Sequence, residues 1–354
     1  MQTYIVYFSA FFIVLLLAYL AQIKNKKKYM IFAALILALV AGLRADTVGI
    51  DTPNYIELFG YIAKGRFDLA YGLETPFKLI CAILLFIWNN SNFLFLIFAL
   101  ITNVLIFARL FECREYISLP WAALIYLGGF YFITFNIVRQ LVAAAIIFWA
   151  TRYLAKKKYF KFLLFVAIAC LFHRSALLGV LFVAFDIFAW KHLTGKQKNL
   201  LKLFWLLGIS VVLLFGVFII GRYFNYFKNV QLNLGLLLLV KMVLFVLTVP
   251  YLTGDKWRDT DYKGYSVAAY TRNTVKVYYA VGMLLTTLGY IFAYMDRIGV
   301  YFYLFETVYI GMVMRSKRID ILVRLVIAVL YLSLALITIF GNGQGQGNYL
   351  FCWQ

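Results

Sequence analysis

YIVYFSAFFIVLLLAYLAQI, Tyr4 to Ile23, followed at once by KNKKK, Lys24 to Lys28, decides the class of fold. An apolar run of about 20 residues rising 1.5 Å each matches the roughly 30 Å hydrocarbon layer of a bilayer. It ends in a basic cluster instead of a small-residue cleavage site, so a retained helix is predicted rather than a signal peptide. Similar runs recur, and helices are predicted over 4–23, 29–43, 73–88, 93–111, 120–135, 137–154, 160–173, 175–190, 200–220, 233–252, 277–295, 298–314 and 320–340. With 65% hydrophobic and 14% charged residues and a mean hydropathy of +0.89, the composition excludes a soluble domain. The expectation is an all-α, polytopic transmembrane helical bundle of about 11–13 membrane helices, some broken or re-entrant. It forms a single domain over 1–340, followed by a Gly/Gln-rich C-terminal tail over 341–354 that reads as a flexible terminus.

A net charge of +20 raises the question of nucleic acid, and the distribution answers it. Of 34 Lys and Arg residues, 22 fall in five short stretches between apolar runs: 24–28, 152–161, 191–202, 256–276 and 315–324. That is the positive-inside pattern, in which cationic loops stay in the cytoplasm. Charge here sets topology, and no nucleic-acid partner is expected. From residue 112 onward the alternation places 136–140, His173, 222–228, Arg297 and the tail on the outer side. Upstream the count is one crossing out of phase: either 73–88 or 93–111 is re-entrant, or the two form one long tilted element. The four cysteines show no CxxC spacing, so neither a disulfide framework nor a metal site is indicated.

Polar residues inside hydrocarbon are costly and carry function by default. The first constellation is GLRADTVGIDTPNY, Gly42 to Tyr55, with Arg44, Asp46, Asp51 and Tyr55. Asp51 or Thr52 suits the N-cap of a helix with Pro53 in its first turn, and Arg44 suits an interfacial anchor. Either could equally face a cavity. Glu74 opens an apolar run and has Lys78 four residues on, the spacing of a surface pair. In FNIVRQ, helical offsets of three and four would put Asn136, Arg139 and Gln140 on one face, presenting a guanidinium fork beside two amides, which suits phosphate or sugar oxygens. In LFHRSA, His173 stands at a helix break, where it is either a packed, hydrogen-bonded residue or a group for proton transfer near neutral pH. DRIGVYF adds Arg297 and Tyr301, and GRYFNYFKN adds Arg222 and Lys228. Converging arginines without an acidic or Cys/His cluster argue for binding a polyanion without a tightly held metal.

In order and spacing, RxxTVGxDTxNY, then GLETPF, then FNxxRQ, then LFHxSA, then DRxxxYF resembles the EpsG family of bacterial membrane proteins, within the Wzy-like polysaccharide polymerases, over roughly residues 1 to 315. The resemblance implies an enzyme of the bacterial inner (cytoplasmic) membrane, a multi-pass glycosyltransferase of exopolysaccharide, capsule or O-antigen synthesis. It would transfer a growing glycan from undecaprenyl diphosphate to a hydroxyl of the next lipid-linked repeat unit. The implied partners are that lipid-linked oligosaccharide, membrane lipid, and a chain-length regulator and flippase of the same pathway; no cofactor is implied. On this reading His173, then Asp51, is the candidate base. Arg139, Arg297 and Arg44 face the diphosphate, and Asn136, Gln140, Tyr55 and Tyr301 orient sugars. Asp46, Glu74 and Arg222 complete the candidate binding set.

Two other classes fit parts of the pattern. A flippase of lipid-linked oligosaccharide would want cationic walls but also two related halves, and no internal repeat is present. A membrane acyltransferase would want a histidine paired in HxxxD, whereas Leu177 stands four residues after His173.

Overall fold

The computed structural model describes residues 2–190, 236–252, 267–289 and 295–354. Among these residues the chain is helical apart from turns and one isolated antiparallel bridge, Arg44 to Phe351. The elements are α1 (Gln2–Lys24), α2 (Lys28–Gly42), α3 (Thr52–Ala63), α4 (Thr75–Ile87), α5 (Ser91–Glu112), α6 (Leu119–Tyr126), α7 (Val138–Leu154), α8 (Tyr159–Cys170), α9 (Val180–Trp190), α10 (Leu236–Thr248), α11 (Val267–Leu288), α12 (Met295–Tyr303), α13 (Glu306–Arg315) and α14 (Ile321–Phe340). The predicted helix 200–220, together with Arg222 and Lys228, lies outside the described residues.

Three of the described helices, α1, α5 and α14, are long and apolar enough to cross a bilayer unaided. Shorter apolar helices stand beside them, including Lys28–Gly42, Thr75–Ile87, Leu119–Phe135 and Tyr159–Cys170. The outer helices are apolar where they are exposed. On α14, Leu322, Val326, Val329 and Ile337 present more than half of their surface, and on α1 Ile5, Phe12 and Tyr19 do likewise. Such surface would be a liability in water and suits contact with acyl chains. Inside, α2 packs on α1 and α5, α7 on α5 and α8, and α11 on α12.

One end of the bundle is basic. Arg114, after α5, reaches Asn25 after α1, while its carbonyl accepts from Gln22 at 3.0 Å and from Arg315 at 2.9 Å. Nearby, Glu112 at the foot of α5 pairs with Arg109 at 3.3 Å and Arg152 at 2.5 Å. Arg44, Glu74, Asn136, His173 and the tail gather at the opposite end.

This arrangement bears on the crossing that was out of phase. α4 starts at Glu74, which is held at the far end by Arg139 and by the Arg174 backbone N–H. Just beyond α4, Asn92 donates to the carbonyls of Gly42 (3.2 Å) and Arg44 (2.7 Å), which belong to the same end. The segments before and after α4 therefore return to one end of the bundle. Its 13 residues rise about 20 Å. Of these two runs, α5 is the one long and apolar enough to cross a bilayer. α5 begins cleanly because Asn90 caps it, its side chain accepting from the N–H groups of Asn92 and Phe93.

Several predicted helices are broken where the site lies. The run 120–135 passes from α6 through a π-helical turn, Leu127–Tyr131, into a 3₁₀ turn, Phe132–Phe135. Such turns often accompany functional sites. The run 298–314 is divided at Leu304 and Phe305 into α12 and α13.

Candidate functional site

Arg44 is the first group whose surroundings differ from expectation. It is 1% exposed, and its guanidinium donates to the carbonyls of Ala41, Val48 (3.1 Å) and Phe135 (3.1 Å) and to Thr52 Oγ1 (3.2 Å). The rings of Phe95 and Phe135 lie against it at 4.3 and 4.9 Å. A guanidinium spent in this way is a clamp that joins the α2–α3 loop to the end of the 3₁₀ turn. Buried in this way, it does not snorkel to the interface. Asp46, in the same loop, is exposed.

FNIVRQ does not form one helical face, because the backbone breaks between the 3₁₀ turn and α7, which begins at Val138. Its three polar side chains go to three different partners. Asn136 Nδ2 donates to Gln344 Oε1 (2.6 Å) and to its carbonyl (3.1 Å), while Oδ1 accepts from the Asp51 N–H at 3.1 Å. Arg139 pairs with Glu74 and lies over Phe77, with the Tyr55 side chain adjoining. Its Nε is buried without a hydrogen-bond partner. Gln140 donates to the Arg297 carbonyl at 2.5 Å.

Glu74 joins two motifs that are far apart in sequence. One oxygen takes Arg139 and the other accepts the Arg174 N–H at 3.2 Å, which leaves the predicted Glu74–Lys78 pair unformed; Lys78 donates instead to the Phe67 carbonyl at 2.7 Å. His173 caps the following 3₁₀ turn. Its Nδ1 accepts from the Ser175 N–H at 3.2 Å and lies 2.7 Å from Ser175 Oγ, which is 2.9 Å from the Tyr301 hydroxyl. An Nδ1 that accepts cannot also carry the proton, so the neutral ring holds it on Nε2. Burial pushes the imidazole below its ordinary range; Glu74 pulls the other way, and Arg139, Arg174 and Arg297 add to the depression. Tyr301 and Tyr55 are both buried, at 0% and 7% exposure.

Beside this cluster is a cavity of about 420 Å³. Asp51, Asn136, Arg297, Thr286, Tyr303 and Gln344 supply its polar groups, and Phe130, Ile133, Ile137 and Val300 its apolar wall. Asp51 occupies the N-cap position of α3, yet its side chain makes no cap bond, so the carboxylate remains available to the cavity. Arg297, one turn before Tyr301 on α12, belongs to both the cavity and the electrostatic surroundings of His173. The structure thus gathers Glu74, Tyr55, Arg139, Gln140, His173, Arg297 and Tyr301, with Asp51 and Asn136 adjoining.

Sequence reasoning missed Gln344 and a buried ion pair beneath the cavity. Glu306 is fully buried and bonded to Lys241 of α10 (2.9 Å), with Tyr279 of α11 (2.9 Å) and Tyr331 of α14 (2.6 Å) donating to it. Lys241 also donates to the Tyr303 hydroxyl at 2.9 Å, and Tyr303 lines the cavity. Each of the two charges stands alone in an apolar run, and that was the available signal. Among the described residues no group of three His, Cys, Asp or Glu side chains is assembled.

Apolar helices around a cluster of polar and charged residues beside a cavity define the class: an α-helical membrane protein. The EpsG family model matches residues 27–351. The chain belongs to the EpsG family, and the match runs through the tail that was set apart in the sequence. No curated protein and no solved structure matches it.

Proposed function

We propose that this protein polymerises lipid-linked oligosaccharide repeat units in exopolysaccharide, capsule or O-antigen synthesis, as a multi-pass enzyme of the inner (cytoplasmic) membrane with its polar site on the outer face. The observation that carries the reading is the convergence of Arg139, His173 and Arg297, from three segments distant in sequence, beside a cavity that also holds a carboxylate. Family membership supports a polysaccharide-polymerase-like role, and the basic end supports the orientation.

In this reading an acceptor hydroxyl attacks the anomeric carbon of the growing chain. The new C–O bond forms as the old C–O bond to undecaprenyl diphosphate breaks, and the electron pair leaves on the diphosphate. Arg297, facing the cavity, and Arg139 neutralise that charge; a phosphate oxygen competes with Glu74 for the Arg139 fork, part of which is unspent. The hydroxyl proton goes to Asp51. This reading takes Asp51 before His173 as the base: an Nδ1 that accepts from Ser175 supports a role for His173 Nε2–H as donor to the departing oxyanion. Asn136 and Gln140 hold the Gln344 segment and the Arg297 backbone in place.

Deletion in the native host should leave single repeat units on the surface with no ladder. Complementation with Arg139→Ala, Arg297→Ala or Asp51→Asn should fail to restore polymer, read by electrophoresis of surface glycan. Normal ladders from all three variants would overturn the site assignment. Elongation of externally supplied repeat units by deleted cells would point to transport instead.

A further inference from the structure

The C-terminal segment is a built part of the site. Cys352 N donates to the Leu43 carbonyl and Ala45 N to that of Leu350, both at 2.8 Å, lacing the tail to the loop after α2. The Tyr7 hydroxyl of α1 donates to the Gln346 carbonyl at 3.1 Å, and Gln346 Nε2 donates to the Thr338 carbonyl at 2.7 Å. Gln346 is 2% exposed and Tyr349 1% exposed. At the point nearest the cavity, Gly49 N donates to Gly345 O at 2.9 Å. Both glycines have positive φ, +97° and +73°, and a Cβ on Gly345 would lie 2.8 Å from Ile50 N and 2.9 Å from the Gly49 carbonyl carbon. Only glycine admits that approach and that conformation.

The lacing brings Gln344 into the cavity wall next to Asn136, facing the space shared with Asp51 and Arg297. Its Oε1 is committed to Asn136 Nδ2, and its backbone N–H to Gln346 Oε1 at 2.8 Å. The backbone is held by one bond and the side-chain amide by its oxygen, while Nε2 presents two N–H donors. A neutral donor beside a carboxylate acceptor matches a hydroxyl, which both gives and takes a hydrogen bond. It does not match a phosphate, which Asp51 would repel.

We propose that the docked tail, through Gly343 and Gln344, forms the sugar-recognition wall of the cavity, and that Gln344 with Asp51 makes the subsite for a hydroxyl-bearing ring of the acceptor sugar. Ile133, Ile137 and Val300 cover the apolar side of that ring, and Arg297 marks the diphosphate end. The proposal rests on the polymerase reading and adds to it a specificity determinant carried by the tail.

The test uses full-length protein in membranes with the host's own lipid-linked repeat unit as substrate. Gln344→Ala should raise the KM for the repeat unit about tenfold, the worth of one hydrogen bond, with kcat changed far less. Gly345→Ala should lose elongation through undocking of the tail while helical content is kept. Gln344→Cys in a Cys352→Ser background should react with a membrane-impermeant maleimide, and the delipidated repeat-unit oligosaccharide should protect it. A KM within twofold of wild type for Gln344→Ala, or full elongation by Gly345→Ala, in a preparation where Arg139→Ala is inactive, would overturn this inference alone. Wild-type protein that cannot elongate the repeat unit would overturn the polymerase reading beneath it.

Discussion

Among single residues, a charge in an apolar chain acquires its meaning from where its hydrogen bonds go. Arg44 and Arg139 look alike in sequence, each a lone guanidinium beside hydrocarbon, yet Arg44 spends its donors on backbone carbonyls and Arg139 meets a carboxylate beside the cavity. Hydrogen bonds to a charged group contribute about 1.5–3 kcal/mol each. Arg44→Ala would leave the Ala41 and Phe135 carbonyls without this donor, and it should lower the melting temperature of the detergent-purified protein and its yield. Arg139→Ala, which strands the partly exposed Glu74 carboxylate, should melt above Arg44→Ala and lose elongation. If Arg44→Ala melted normally but bound substrate poorly, the clamp assignment would be wrong.

Among elements, α4 shows how length limits what an apolar run can do. Its sequence is as hydrophobic as a spanning helix, and Leu79, Ile83, Phe86 and Ile87 are exposed on one side, as a lipid-facing helix requires. Its 13 residues rise only about 20 Å, and the bonds from Glu74 before it and Asn92 after it bring the flanking segments to one end of the bundle, so α4 is expected not to cross. Single cysteines in place of Tyr71 and Asn89, both exposed and flanking α4, should both react with an impermeant maleimide from outside the cell in a Cys352→Ser background. Labelling of only one would mean that α4 crosses. Helix breaks serve the site in the same way, since the π-helical and 3₁₀ turns ahead of α7 separate Asn136 from the helical row of Arg139 and Gln140 and let it reach the tail.

At the level of the whole molecule, the Lys241–Glu306 pair with Tyr279 and Tyr331 ties α10, α11, α13 and α14 together, and through Tyr303 it backs the cavity. Breaking a buried pair by removing one partner costs about 3–5 kcal/mol, because the other charge is stranded. Glu306→Ala should therefore destabilise the purified protein strongly, whereas Tyr331→Phe, which deletes one hydrogen bond, should cost about 1 kcal/mol. Thermal melts of the two variants compare the losses directly, and equal melting temperatures would contradict the cluster's role as a joint.

The sequence by itself determined the class of fold, the family, the basic end and most of the polar residues that meet at the site. Apolar runs and loop charges are local properties, and a bilayer converts them into helices and orientation with little help from distant contacts. Only the tertiary structure decided which polar residues act together. Glu74 chose Arg139 over its helical neighbour Lys78, His173 received its tautomer from Ser175, and Arg44 was withdrawn into a clamp. The same holds for the tail: the run of glycine and glutamine reads as flexible because it lacks apolar side chains, whereas its order comes from backbone bonds to the loop after α2, residues some three hundred positions away. Hydrogen bonds between residues distant in sequence leave no periodic trace in it.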